Sequence, residues 1–260
     1  MENTSIVACG EKMEIGCRVV LWDEPTIGKS FYKNGKYTTR NFTIEQLRSE
    51  TKLFALHHSV DYHSKDTFNG LNARRLSVVF MIDDNSDVDG YATIYQALDM
   101  KDVGWSQGTF NKMGPGVEIA YHPECFSNPN LYSEVNCKKY NVTPRVSLKD
   151  KVHGKTFDVF GPTPAQVKSC IALLKGFCKL FPAVRPEFHK DLFGNVVKTV
   201  VKDPKGLVAH FQLTAMKVDP MGFPFEQVEK QLKIELTPED VKPVGAISRF
   251  SNWFIDKCKF

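Results

Sequence analysis

Short β-rich apolar segments alternate with amphipathic helical ones, and this alternation constrains the fold more than any other feature of the chain. The strand-like segments are KLFALHHS, LSVVFMIDD, YATIYQALD, GPGVEIAYH and GLVAHFQLT. The second and third are separated by the acidic, glycine-containing turn NSDVDG, which favours adjacent strands of one sheet. Strands mixed with helices along the chain predict an α/β fold with a single mixed central β-sheet flanked by helices.

Three segments have the signals of helices. TPAQVKSCIALLKGFCKLF places Thr163 at the N-cap, Pro164 at the first helical position and Gln166 at the third. One apolar stripe runs along this helix and consists of Val167, Ile171, Leu174, Phe177 and Phe181. TIEQLRSE has capping-box spacing between Thr43 and Gln46, and FPFEQVEKQLK predicts a further helix.

The chain divides into three parts. Residues 1–42 are predicted to be an N-terminal arm packed on the domain, because residues 18–40 mix a short apolar run with Pro, Gly and Asn turn signals. Residues 43–235 form the main domain, and a stretch without clear periodicity at about 123–161 is interpreted as a long insertion. Residues 236–260 are expected to be a C-terminal tail.

Composition narrows the class of protein. Of the 260 residues, 42% are hydrophobic and 25% charged, which is ordinary for a globular domain. The net charge of +4 is too small to indicate nucleic-acid binding. The N-terminus has no apolar core of a signal peptide, and no apolar run is long enough to span a bilayer, so we expect a cytoplasmic chain without membrane insertion. Seven scattered cysteines without a CxxC pair favour reduced thiols.

Two histidines follow apolar strands, where a sheet delivers side chains to its edge. His57 comes after LFAL, His210 comes after GLVA, and Asp219 lies nine positions further in MKVDPMG. Zinc hydrolases hold their metal with three side chains, preferring imidazole together with carboxylate or thiolate. A histidine after an apolar run is more often a packed, hydrogen-bonded residue, so position alone leaves both interpretations open.

The motifs LHHS, GPGVEI and AHFQLTAMKVDPMGFPF occur in an order that resembles the zinc-dependent N-acetylmuramoyl-L-alanine amidases of the type 2 amidase and peptidoglycan-recognition family. The resemblance covers roughly residues 57–225. It implies an amidase-like α/β fold and a Zn²⁺ cofactor bound by His57, His210 and Asp219. KVDPMGF is similar to the K-x-D-P-G segment of the aspartate-bearing branch, with Met221 standing before Gly222.

The resemblance also implies roles for residues around the metal. Glu118, in the G-[IV]-E segment, would take the proton of the attacking water, and Lys217 would stabilise the oxyanion. The ordinary alternatives are a surface glutamate at a strand end and a solvated lysine. Trp105, Gln107 and Tyr95 are predicted to contact the substrate, although aromatic residues at such positions are more often part of a core.

The chain also departs from the family pattern. Ser106 and Gln107 stand where many members have a histidine that helps bind substrate, and Val79 occupies a position that is often histidine. His58 is expected to be structural or to support the site, because neighbouring strand residues point to opposite faces. The remaining histidines are expected on the surface or in loops, and these are His63, His122, His153 and His189.

The predicted function is hydrolysis of the amide bond between N-acetylmuramic acid and L-alanine in peptidoglycan. The segment WDEPTIGKSFYKNGKYTTR is more similar to phage-encoded amidases than to recycling enzymes, which favours an endolysin that stays cytoplasmic until it is released to the cell wall at lysis. The alternatives are a non-catalytic peptidoglycan-binding module, a cytoplasmic muropeptide-recycling amidase, and a regulator that binds another protein. The sequence makes no prediction of oligomeric state.

Overall fold

The computed structural model describes residues 2–24, 37–237 and 240. The described strands are β1 (Ser5–Ala8), β2 (Glu11–Glu14), β3 (Val19–Leu21), β4 (Thr38–Thr39), β5 (Leu53–His58), β6 (Phe80–Ile82), β7 (Ile94–Gln96), β8 (Asp102–Val103), β9 (Gly116–Ile119), β10 (Ser147–Val152), β11 (Lys155–Phe160) and β12 (Gly206–Ala209). The described α-helices are α1 (Ile44–Glu50), α2 (Ser64–Ala73), α3 (Glu134–Tyr140), α4 (Pro164–Leu180), α5 (His210–Leu213) and α6 (Phe225–Glu235).

A six-stranded sheet with the order β12-β5-β9-β6-β7-β3 forms the centre of the fold. All neighbours in it are parallel except β6 and β7, which are antiparallel. Each of the five predicted strand segments contributes one strand, and β3 adds the edge strand. The predicted α/β class with one mixed central sheet and flanking helices is confirmed.

Helix α4 covers one face of the sheet. Its start is the predicted one: the Gln166 amide donates to Thr163 Oγ1 at 3.2 Å, and the Thr163 amide donates to Gln166 Oε1 at 3.0 Å. The apolar stripe packs on the sheet, with the Phe177 ring centroid 4.7 Å from that of Phe54. Burying such side chains contributes about 1.5–3 kcal/mol each, so this interface stabilises the fold.

The alternation of side chains along β5 decides which face carries the polar residues. Phe54 and Leu56 belong to the core beneath α4, whereas Leu53 and Ala55 pack in a separate cluster on the opposite face. His57 continues the second series and therefore points away from α4. In the register of β5 and β9, His57 stands opposite Glu118, so both side chains lie on the same face of the sheet.

The insertion at 123–161 is more regular than the sequence predicted. It contains α3 and an antiparallel hairpin, β10–β11. Most residues of these two strands are exposed, so they lack the apolar alternation by which a strand is recognised. Residues 25–36 of the N-terminal arm and 241–260 of the predicted tail lie outside the described residues.

The sequence also led to expectations about the cysteines and about membrane-spanning helices. The six cysteines within the described ranges form no disulfide bonds. Among the helices that the structure describes, none has both the length and the apolar composition that crossing a bilayer requires.

Candidate metal centre

Three side chains converge at one edge of the sheet. Because β5 and β12 are parallel neighbours, their carboxyl ends meet there, and His57 and His210 come from those ends. Their Nδ1 atoms lie 2.9 Å apart. Asp219 Oδ2, from the loop after α5, is 3.2 Å from His57 Nδ1 and 2.9 Å from His210 Nδ1. The three atoms form a cluster able to hold a metal ion.

The spacing and chemistry of this cluster fit zinc. Ligands about 2.0–2.1 Å from a tetrahedral zinc ion are about 3.3 Å apart, only slightly more than the separations here. Burial, and after it the neighbouring His210, lowers the pKa of His57 to about 4, so its imidazole is neutral near pH 7 and able to bind metal. Burial acts to raise the pKa of Asp219, but hydrogen bonds with the two histidines outweigh it and hold that pKa well below its usual range.

Glu118 and Lys217 lie in a groove beside the cluster. The groove has a volume of about 330 Å³, and its lining includes Glu118, His210, Lys217 and Asp219. Glu118 is buried, and burial, followed by the charge of Asp219, raises its pKa to about 8. Lys217 and Arg74 oppose this shift. Glu118 can therefore bind and release a proton near neutral pH, which a fully solvated glutamate cannot do.

A second groove continues from the first. It has a volume of about 490 Å³, is lined by Trp105 and Gln107, and shares His210 and Lys217 with the first groove. Ser106 borders both grooves, whereas Val79 is buried in the core beneath α4. Two of the three predicted substrate contacts are thus next to the cluster, and their contact with substrate stays a prediction.

Tyr95 lies away from both grooves. It pairs with Met81 across β6 and β7, and Met81 in turn pairs with Glu118 across β6 and β9, so one whole strand separates Tyr95 from Glu118. Its ring is half-buried and packs on the cluster that contains Phe68 of α2. Burial raises the pKa of Tyr95 to about 12. The structure does not bring this residue to the cluster.

Gly116 makes room for the ring of His57. A Cβ at this position would lie 2.7 Å from Gln107 Nε2 and 3.2 Å from His57 Nε2. Both side chains therefore occupy space that is available only because residue 116 has no side chain. Within the described part of the chain, His57 Nε2 and Gln107 Oε1 are buried and have no hydrogen-bond partner. An imidazole that binds metal through Nδ1 carries its proton on Nε2, and an amide oxygen is a suitable acceptor for that proton.

The loop that carries Lys217 and Asp219 is held by several groups around it. The Phe211 amide donates to the Asp219 carbonyl at 3.0 Å, and the Tyr121 hydroxyl donates to the Met221 carbonyl at 2.7 Å. The Met221 amide donates to His58 Nδ1 at 3.0 Å, which agrees with the supporting position expected for His58. Tyr121 and Arg74 were not identified from the sequence, because no motif or periodicity marks either of them.

The chain was compared with known proteins. No protein-family model matches it, and neither does any curated protein. Among solved structures it is similar to the N-acetylmuramoyl-L-alanine amidase LysC from Clostridium intestinale, with a TM-score of 0.43 and 16% identity over 84% of this chain and 98% of that one. The endolysin amidase LysCS from the same organism gives a TM-score of 0.42 and 16% identity over 83% and 95%. Drosophila PGRP-LB, as a variant in complex with tracheal cytotoxin, gives 0.40 and 13% over 81% and 92%.

These solved structures are of amidases and a peptidoglycan-recognition protein. The function of this chain has to follow from its own residues.

Proposed function

We propose that this protein is a zinc-dependent N-acetylmuramoyl-L-alanine amidase that cleaves the glycan–peptide bond of peptidoglycan. One observation carries the proposal: the convergence of His57, His210 and Asp219 beside the buried carboxyl of Glu118, at the junction of two grooves. The order of the sequence motifs supports the choice of substrate.

His57, His210 and Asp219 would hold the zinc ion, and His210 and Asp219 also line the groove beside it. When bound, the ion supplies a Lewis acid and lowers the pKa of a water molecule towards neutrality. The three side chains are buried, and burial keeps the imidazole of His57 in the neutral form that binds metal.

Glu118 is the proposed proton carrier. Hydrolysis adds the oxygen of water to the carbonyl carbon, breaks the C–N bond and leaves a proton to be delivered to the amino group of L-alanine. A carboxyl group whose pKa is raised towards neutrality can take the proton of the water and return it to the leaving nitrogen. The burial that raises this pKa therefore supports the role.

Lys217 is the proposed cation for the oxygen of the carbonyl group. That oxygen becomes negatively charged when the carbon is attacked, and a cation held nearby lowers the energy of this state. Lys217 lines both grooves, so a substrate that spans them passes beside its side chain. Trp105 and Gln107 are the proposed substrate contacts in the second groove.

A non-catalytic binding module is the main alternative. Binding alone needs neither a complete set of metal ligands nor a proton carrier, and the presence of both together favours hydrolysis. For the biological setting we propose a phage endolysin that acts on the wall after release from the cytoplasm. A recycling amidase would prefer soluble muropeptides to intact wall, so the relative rates on these two substrates distinguish the settings.

The decisive experiment combines metal analysis with product analysis. The purified protein should contain about one zinc ion per chain. Digestion of peptidoglycan should release stem peptides that begin with L-alanine and glycans that keep their glycosidic bonds, as read by mass spectrometry. Cut glycosidic bonds or cut cross-bridges would refute the reaction, and a protein that binds muropeptides but releases nothing would favour the binding module.

A further inference from the structure

The β10–β11 hairpin contacts both ends of the loop that carries Lys217 and Asp219. At one end, His153 Nε2 lies 2.9 Å from the carbonyl oxygen of Lys217. At the other end, the Gly222 amide donates to Asp150 Oδ2 at 2.8 Å. Asp219 lies between these two points, so the hairpin spans the segment that contributes both a metal ligand and the proposed cation.

Asp150 is a buried carboxylate on a strand whose other polar residues are exposed. One of its oxygens accepts from the Gly222 amide, and the other accepts from the Lys151 amide at 2.8 Å and pairs with Lys198. All three partners are donors. Burying a carboxylate costs free energy unless it is paired, and these partners supply that pairing. The Lys198 pair also ties the hairpin to the segment that precedes β12.

His153 occupies a position where histidine is not the preferred residue. It begins the two-residue turn of the hairpin, with φ of 49°, and Gly154 follows with φ of 79°. Two-residue turns with positive φ at both positions favour Asn, Asp or Gly at the first of them. Asparagine would satisfy the turn equally well but is too short to reach as far as an imidazole. The histidine side chain therefore serves the contact with Lys217 rather than the turn.

We infer that Asp150 and His153 are positioning residues, through which the hairpin holds the 217–222 loop so that Asp219 and Lys217 keep their places beside His57. The inference rests on the proposed function for its metal and its reaction. Neither residue touches the metal cluster itself. Their effect is to restrict the loop, because each bonds to its backbone at a point two or three residues from Asp219.

Two variants test this without disturbing the rest of the hairpin. H153N keeps a residue that the turn prefers and removes the contact with Lys217. D150N keeps the side-chain volume but leaves one acceptor oxygen among three donors, so at least one bond is lost. The control is D158N, the same chemical change on the same hairpin, where the carboxylate is exposed and pairs with the exposed Lys149 at 2.7 Å.

The expected result is a loss of zinc affinity of about 10- to 100-fold in H153N and D150N, the range typical of residues that orient metal ligands, and no loss in D158N. Affinity is measured by competition with a chromophoric chelator. The absorption spectrum of the cobalt-substituted protein should shift in the two variants and not in the control, because it reports the geometry of the ligands. Thermal unfolding of H153N should match that of the wild type, which separates positioning from general destabilisation.

The inference is wrong if H153N and D150N have the same zinc affinities and cobalt spectra as D158N. That result would leave the proposed function standing. If the wild-type protein binds no zinc, the proposed function fails, and hydrogen exchange in the metal-free protein then decides the inference alone. Faster exchange of the Gly222 amide in D150N than in D158N would support a hairpin that holds the loop. Equal exchange would overturn it.

Discussion

Replacing Glu118 with glutamine should make the metal-free protein less sensitive to pH. Burial and the nearby Asp219 raise the pKa of Glu118 from 4.5 to about 8. The folded protein therefore keeps the carboxyl proton over a range in which the unfolded chain has lost it. The contribution of the protonated Glu118 carboxyl to the unfolding free energy is fully present below about pH 4.5 and is lost as the pH rises through 8.

The magnitude follows from the width of this range. Each pH unit between the two pKa values costs about 1.4 kcal/mol of unfolding free energy, so the wild type should lose roughly 3 kcal/mol between about pH 5 and pH 7 through this group. Glutamine has nearly the same shape and no proton to lose. Between about pH 5 and pH 7, the unfolding free energy of E118Q should therefore rise by roughly 3 kcal/mol relative to that of the wild type.

The assay is urea unfolding of the two metal-free proteins at several pH values between about 5 and 8. E124Q is the matched control, since Glu124 lines the same groove but is only partly buried. If the E118Q and wild-type curves stay parallel across this range, Glu118 is not held protonated by the fold. If the proposed amidase function is correct, E118Q should keep its zinc and lose about 10²- to 10⁴-fold in turnover.

Three further outcomes are expected. Asp219→Ala should lower zinc affinity and activity together, measured by metal content after dialysis and by release of stem peptides; retained zinc would contradict its role as a ligand. Gly116→Ala should cost about 1–3 kcal/mol in urea unfolding and weaken zinc binding, because the added methyl group would lie 2.7 Å from Gln107 Nε2 and 3.2 Å from His57 Nε2 and displaces both side chains; wild-type values would contradict this. Arg145→Ala should destabilise the fold by about 3–5 kcal/mol, since it removes the cationic partner of the buried Asp84 carboxylate and leaves the Thr143 amide as its donor; a loss under about 1 kcal/mol would contradict this.

The helices α1, α4 and α6 were predicted because their signals are local, whereas α2 and α3 were not predicted. The capping boxes that start α1 and α4 each involve residues only three apart, Thr43 with Gln46 and Thr163 with Gln166, and both are formed. Five strands of the central sheet, β5, β6, β7, β9 and β12, were recognisable from short apolar runs, whereas the exposed β10 and β11 were not. The strand-like segment GLVAHFQLT is strand only as far as Ala209, and α5 begins at His210. A four-residue helix is too short to produce a periodic pattern.

The candidate site was predictable only in part. Motif resemblance identified His57, His210 and Asp219, and the structure brings them together. Asp150 and His153 were not identified as site residues, because they lie in an insertion without periodicity and bond to a loop 72 and 64 positions later in the chain. Tyr95 was predicted near the substrate but faces the α2 cluster, since the sequence alone does not specify where β7 lies in the sheet.

The amino-acid sequence by itself determined the class of elements, the starts of α1 and α4 and the chemical types available to bind a metal, because each depends on residues close together in the chain. The tertiary structure determined which of those residues lie next to one another. The parallel pairing of β5 with β12 closes a separation of 153 positions between His57 and His210 to 2.9 Å between their nitrogen atoms. No local pattern encodes that distance, because it follows from strand order and register, which depend on packing of the whole sheet.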